Sequence, residues 1–406
     1  VSQLHSNIGD PPEAQNRHAL YLEQVNSSDA EVSCAATVVT SVANIRWLTG
    51  FTGSSGVVVV PSTEDGRTVL FTDGRYVDQA RREIAKVGAR CDVEEARSSS
   101  TQMQMIARSL TEVFSSQGLS AQANANARYG LGYEAGEMSV EFFTMLNDAI
   151  SEVGLTIANH QWLPASKYFA AVRRRKSVAE VECIAKAAAI ADSALSHTLE
   201  ALTYGITERQ FRDALDTAMR EGGADDVSFP SIVAFGENSA LPHHQPSHRQ
   251  LSVGDSVVVD FGALVDGYHS DMTRSFVAGG NSSMNGQEML RRYEAVRESC
   301  SEGVLLVGPG VATRDIDTRC REILALNGLE NELTHGVGHG VGPQIHESPW
   351  VNSRSTDVLE VGDVVTVEPG AYRMGLGGVR VEDLLVVTET GYNVLSQSPK
   401  DPLCPQ

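Results

Sequence analysis

The feature that most constrains this chain is a duplication inside its C-terminal half. Val253-Gly254-Asp255-Ser256-Val257-Val258-Val259-Asp260-Phe261-Gly262-Ala263 matches Val361-Gly362-Asp363-Val364-Val365-Thr366-Val367-Glu368-Pro369-Gly370-Ala371. In each copy a Gly-Asp turn opens a β-branched strand that ends in a carboxylate, followed by a glycine and a returning strand. The elements ahead of the copies correspond as well: a long helix (178–202 in one, 287–305 in the other), a Gly turn and a second helix. The second helix of the first copy has Thr207 as N-cap with Gln210 three residues on and Ile206 placed to staple Phe211, and it stops at Gly222-Gly223. Its counterpart runs from Thr313 to Leu326 and stops at Asn327-Gly328. Two such helix-helix-hairpin units facing each other across a pseudo-two-fold axis would bury the hairpins centrally and keep the helices outside. Equivalent residues then face each other across one cleft.

Each hairpin carries two carboxylates. Asp260 ends the outgoing strand of the first and Asp271 lies on the return; Glu368 and Glu382 stand at the matching points of the second. Their strand neighbours Val257, Val259, Val365, Val367, Leu384 and Val386 are apolar. A carboxylate inside such a strand is costly unless it is paired or bound to a cation. One alone is adequately explained as a solvated hairpin end. Four at matching points of a duplicated unit call for positive charge, which two divalent cations would supply.

The second constellation is His335-Gly336-Val337-Gly338-His339-Gly340-Val341-Gly342, with His346-Glu347 shortly after. The interleaved glycines disfavour a helix and suit an extended segment that another chain approaches closely. No second histidine follows Glu347 at the spacing of a zinc helix, and the glycines do not form GxGxxG. His243 and His244 form a weaker loop pair. A GxSxG elbow is missing, so a covalent serine mechanism lacks support.

The first part of the chain reads as a small α/β domain. Residues 56–61 and 68–72 are short β-branched runs. Met103, Ile106, Leu110 and Val113 recur at helical spacing, and residues 131–146 do so less cleanly. The basic run Arg173-Arg174-Arg175-Lys176 reads as a linker into the long helix whose buried face is marked by Val181, Ile184, Ala188, Ala191, Leu195 and Leu199. Acidic residues outnumber basic ones 52 to 32, a formal charge of −20 that argues against nucleic acid and anionic membrane as partners. No apolar run reaches the length of a membrane span, and residues 1–10 are polar without a signal-peptide core. Cys34, Cys91, Cys183, Cys300, Cys320 and Cys404 are scattered, as expected for thiols in a reducing cytoplasm.

Together these residues resemble the pita-bread metallopeptidase family of methionine aminopeptidase, aminopeptidase P, prolidase and the creatinase relatives. Asn44-Ile45-Arg46-Trp47-Leu48-Thr49-Gly50-Phe51-Thr52-Gly53 and Thr72-Asp73-Gly74-Arg75-Tyr76 are similar to the creatinase-type N-terminal domain of the proline-directed branch. Methionine aminopeptidases lack that domain. The resemblance implies a creatinase-type α/β N-terminal domain at 1–170 and an α+β pita-bread catalytic domain with an internal pseudo-two-fold duplication at 171–406. By the same resemblance Asp260 would bind one metal, His339 and Glu368 the other, and Asp271 and Glu382 would bridge both. Four carboxylates and one imidazole make a hard site suited to Mn²⁺ and tolerant of Co²⁺, Fe²⁺ or Zn²⁺. His243 and His346 would stabilise a tetrahedral intermediate and help to move protons. Glu368 would add a base role, Arg380 would brace the site, His335 would touch substrate and Tyr372 would line the cleft. The implied reaction is hydrolysis of an Xaa-Pro bond, in dipeptides or at the N-terminus of longer peptides with proline second, by a cytoplasmic homodimer. A creatinase-like hydrolase of a small non-peptide C–N bond, or a non-catalytic binding protein on the same fold, are the alternatives.

Overall fold

The computed structural model describes residues 14–27, 32–119, 129–155, 157–158 and 161–403, which leaves Cys404 and the polar N-terminal segment outside the described residues. The chain divides into two compact units between Arg173 and Arg174.

The first unit runs α1 (Ala14–Asn26), β1 (Ser33–Val39), α2 (Val42–Thr49), β2 (Val57–Pro61), β3 (Thr68–Thr72), α3 (Val77–Val87), β4 (Cys91–Glu95), α4 (Ser99–Ser116), β5 (Tyr129–Tyr133), α5 (Val140–Glu152), β6 (Trp162–Pro164) and α6 (Ser166–Arg174). Its strands form one six-stranded sheet in the order β4-β3-β2-β1-β5-β6, antiparallel at β1/β2 and β2/β3 and parallel elsewhere. Helices cover both faces, so β2 and β3 are apolar at successive positions and every residue in them is buried. The pleat sorts them: Val57, Val59 and Phe71 join Ile106, Leu110 and Leu146 on one face, while Val58, Val60 and Leu70 join Tyr21, Trp47 and Phe169 on the other.

Residues 131–146, expected to be helical, divide instead. Leu131 belongs to β5, and a helix starts only after Ser139, whose hydroxyl accepts from the Phe142 N–H. Gly130 decides for the strand: a Cβ there would lie 2.2 Å from the Gln161 carbonyl oxygen, so only glycine lets β6 approach.

The second unit holds the duplication. One copy comprises α7 (Val178–Thr198), α8 (Glu208–Glu221), β7 (Asp226–Val227), β8 (Ile232–Phe235), β9 (Ser256–Phe261), β10 (Ala263–Val265), β11 (Tyr268–His269) and β12 (Met272–Val277). The other comprises α9 (Met284–Leu305), α10 (Thr313–Leu326), β13 (Gly338–Gly340), β14 (Glu347–Val351), β15 (Val364–Val367), β16 (Gly370–Arg373), β17 (Gly377–Arg380), β18 (Asp383–Thr388) and β19 (Gly391–Val394). In each, an antiparallel pair of strands (β9/β12, β15/β18) encloses a short ribbon (β10/β11, β16/β17). The hairpins are therefore nested, where the sequence suggested one simple return. An outer strand, β8 or β13, completes each set.

The two copies build matching cores. Phe211, Leu215 and Met219 of α8 meet Val257, Val259 and Phe261 of β9. Ile316, Cys320 and Leu324 of α10 meet Val365 and Val367 of β15. Successive strand residues point to opposite faces, so burying Val257, Val259 and Phe261 against helices turns Asp260 the other way. Thr207 caps α8 as its sequence predicts, with a reciprocal Gln210 bond.

The basic run leads into α7 as expected, but part of it is buried and ion-paired. Arg174 pairs with the fully buried Asp363 at 2.6 Å, and Lys176, itself without exposed side-chain surface, pairs with Glu347 at 2.8 Å. Ser177 then starts α7 with a capping box to Glu180. Cys300 and Cys320 are buried, and Cys34, Cys91, Cys183, Cys300 and Cys320 are all free thiols. Among the described residues no helix is long and apolar enough to cross a membrane.

Candidate metal centre

The nested hairpins bring their acids together. Carboxylate oxygens of Asp260, Asp271 and Glu382 lie within 4.8 Å of one another. His339 Nε2 stands 3.5 Å from Asp271 Oδ2 and 3.4 Å from Glu368 Oε1, so Asp271 joins a second group to the first. Asp271 and Glu382 occupy matching places immediately before β12 and β18, and Asp260 and Glu368 matching places at the ends of β9 and β15. All five predicted ligands thus meet in one cluster.

Burial there is severe. Glu382 is 1 % exposed, Asp271 5 % and His339 6 %. Burial first, then the charges of Glu382, Asp260 and Glu368, push the Asp271 carboxyl well above the usual carboxylate range. Burial, then Glu368 and Asp260, does the same to Glu382. Glu368 is also raised by burial, with His335 and Arg380 pulling the other way. Two oxygens, Asp260 Oδ1 and Glu382 Oε1, are buried without a hydrogen-bond partner. Buried acceptors left open among like charges fit a hard cation and are poorly explained by packing alone.

The surrounding groups orient the acids. Glu382 Oε2 accepts from Thr273 Oγ1 at 2.7 Å, and Glu368 Oε1 accepts from Thr366 Oγ1 at 3.4 Å. His339 Nδ1 lies 3.0 Å from the Gly340 carbonyl; a carbonyl only accepts, so the proton sits on Nδ1 and Nε2 keeps its lone pair toward the acids. Burial holds the His339 pKa below its ordinary value. Glycines bring β13 into the cluster: a Cβ at Gly338 would lie 2.1 Å from the Thr366 carbonyl oxygen.

Arg380 is the cation within this acid group. Its Nη2 donates to Asp260 Oδ2 at 2.6 Å, its Nε to Thr273 Oγ1 at 3.0 Å and its Nη1 to Tyr372 Oη at 2.8 Å. Tyr372 Oη is also 3.0 Å from His335 Nε2, while His335 Nδ1 donates to the Gly336 carbonyl at 2.6 Å. Burial pushes the Tyr372 hydroxyl up to about 12, so it stays protonated and donates to His335. Tyr372 was expected to line the cleft; it stands behind His335 and Arg380 and is not among the lining residues.

The cluster floors a cleft of about 510 Å³, within the range of small-ligand sites. His243, His335 and His346 line it together with the acids and Arg380. His346 is exposed, with its ring 4.4 Å from that of His339. Partial burial of the ring, then His339, lowers its pKa. Sequence reasoning missed the apolar wall of Phe229, Pro230, Ile232, Ile345 and Trp350. Only the position of Ile345 and Trp350 beside His346 hinted at it. It also missed Thr273 and Thr366, polar residues on otherwise apolar strands.

A sequence profile of Metallopeptidase family M24 matches residues 182–389, and one of the Creatinase/Prolidase N-terminal domain matches residues 22–175. An uncharacterized peptidase of Bacillus subtilis, YqhT, is 33% identical over 94% of this chain and 98% of its own. The Xaa-Pro dipeptidase of Pyrococcus furiosus is 38% identical over 56% of this chain and 64% of its own. Among solved structures, an Xaa-Pro dipeptidase from Bacillus anthracis superposes with a TM-score of 0.82 at 32% identity, covering 95% of this chain and 99% of that one. An X-Pro aminopeptidase from Thermotoga maritima gives 0.77 at 26%, covering 92% and 98%. With both profiles matched and full-length likeness to pita-bread prolidases, the chain belongs to metallopeptidase family M24.

Proposed function

We propose that this chain hydrolyses the bond between the first residue and proline in small peptides, using two divalent cations. Asp260 would hold one, His339 and Glu368 the other, with Asp271 and Glu382 shared. The observation that carries this reading is the buried acid cluster itself, in which Asp260 Oδ1 and Glu382 Oε1 lack hydrogen-bond partners. Mn²⁺ suits a set of four carboxylates and one imidazole. When bound, the cations neutralise the acids, polarise a carbonyl and make water a usable nucleophile near neutral pH.

The chain's own residues supply the rest. Arg380 holds Asp260 in place by a charge-assisted bond and keeps positive charge in the site. His346, its pKa lowered by partial burial and by His339, would offer a ring N–H to oxyanion charge developing on the substrate carbonyl. His243 lines the same cleft and would pass a proton to the departing proline nitrogen. Glu368 is available as a base beside them. His335, with its Nε2 held by Tyr372, has its ring fixed at the cleft wall for contact with substrate. An Xaa-Pro bond lacks an amide N–H, so the site needs no acceptor there. Phe229, Ile232, Ile345 and Trp350 offer the proline ring an apolar surface.

Ala-Pro and Ala-Pro-Ala assayed side by side with added Mn²⁺ test the proposal and separate a dipeptidase from an aminopeptidase. Cleavage of neither at any metal loading refutes it.

A further inference from the structure

One buried carboxylate near the cleft is absent from the roles above. Glu208, the first residue of α8, has no exposed side-chain surface. An acid at a helix start ordinarily faces solvent and favours the helix dipole. Glu208 sends its side chain away from its own helix, into the segment 235–247 that leads from β8 to the cleft. Oε1 accepts from the Phe235 N–H at 2.8 Å and from Asn238 Nδ2 at 2.9 Å. Oε2 accepts from His244 Nε2 at 2.9 Å, the Ser247 N–H at 2.8 Å and Ser247 Oγ at 2.6 Å. Burial opposes the charge, yet the donors of Ser247, Asn238, Phe235 and His244 bring its pKa below the ordinary value.

The two adjacent histidines are thereby divided. His244 turns inward to Glu208, and His243 lines the cleft. From the far side Arg380 Nη1 reaches the Pro242 carbonyl at 3.5 Å, and the Gly378 N–H donates to Ser239 Oγ at 2.8 Å. The segment is held at both ends, with His243 between.

We propose that Glu208 is a positioning residue that fixes His243 at the reacting centre by clamping His244, Ser247 and Asn238. The part of this that concerns turnover rests on the reading of His243 given above; the clamp itself does not. Glu208 is thus the hub by which the first half of the duplication presents its histidine to the cleft.

Hydrogen–deuterium exchange and a double-mutant cycle test it. In Glu208→Gln, which keeps the shape but not the charge, amides in 236–247 should exchange about tenfold faster while α7 and β9 keep wild-type protection. On Ala-Pro, kcat should fall about tenfold with KM within about twofold and metal content unchanged, as expected for lost orientation. Combining Glu208→Gln with His243→Ala should cost no more than His243→Ala alone, because both act on one group. Wild-type exchange in 236–247, or losses that multiply in the double variant, would overturn the proposal. If Glu208→Gln does not fold, Ser247→Ala removes one donor and carries the same readouts at smaller amplitude. If the wild-type chain cleaves no Xaa-Pro substrate, the function assigned above fails, and the exchange arm still decides whether the clamp exists.

Discussion

Replacing Glu382 by glutamine should make the metal-free protein more stable, although it damages the site. Unit charges 4.8 Å apart, the outer limit separating the oxygens of Asp260, Asp271 and Glu382, repel by about 3.5 kcal/mol at an effective dielectric constant of about 20. Glu382 faces two such neighbours, so at this dielectric constant about 7 kcal/mol bounds the fully charged repulsion from below. Proton uptake relieves part of it, in keeping with the upward direction of the Asp271 and Glu382 pKa values, and Arg380 offsets more. What remains for the glutamine to remove is about 1–3 kcal/mol. The substitution preserves shape: the glutamine carbonyl can still accept from Thr273, and its amide can donate where Oε1 now has no partner. Urea unfolding in EDTA should therefore show the variant more stable than wild type. The sign with pH follows from linkage. The folded-state pKa values lie above the unfolded ones, so the stability these acids contribute is present below the ordinary carboxylate range and is lost as pH rises toward the folded values. The variant's advantage should thus grow as pH rises above the ordinary carboxylate range toward the folded values. Added Mn²⁺ should stabilise wild type strongly and the variant little. A variant no more stable than wild type in EDTA at every pH would refute the claim that these acids are held against mutual repulsion.

Three further perturbations follow from the same geometry. His346→Ala should retain bound metal, measured by elemental analysis, while kcat on Ala-Pro falls about 100-fold; unchanged turnover removes His346 from the reaction. Arg380→Lys keeps the charge but loses the fork that reaches Asp260, Thr273 and Tyr372 together, so kcat should drop at least about tenfold. Full activity would show that charge alone suffices. Lys176→Met leaves Glu347 buried without its 2.8 Å ion partner and should cost about 3 kcal/mol in chemical denaturation; a loss under about 0.5 kcal/mol would mean that Glu347 is held by its other contacts.

The sequence alone determined the duplication, the cap at Thr207, the strands carrying the acids and the glycine-spaced histidines. These are written locally, because pleat, capping and turn chemistry act within a few residues of each other. Even there local pattern misled where an interaction reached further: residues 131–146 carry helical spacing, yet β6 claims their first part through Gly130. Tertiary structure alone decided which side chains meet. Arg380 and Asp260 are 120 positions apart, and Thr273 and Glu382 are 109 apart. No periodicity could show that Tyr372 stands behind His335, that Lys176 is buried against Glu347, or that of two adjacent histidines one faces the cleft and the other a buried Glu208. Those outcomes depend on how two packed cores set the distance between their hairpins. That distance is a property of the assembled layers, which no single segment contains.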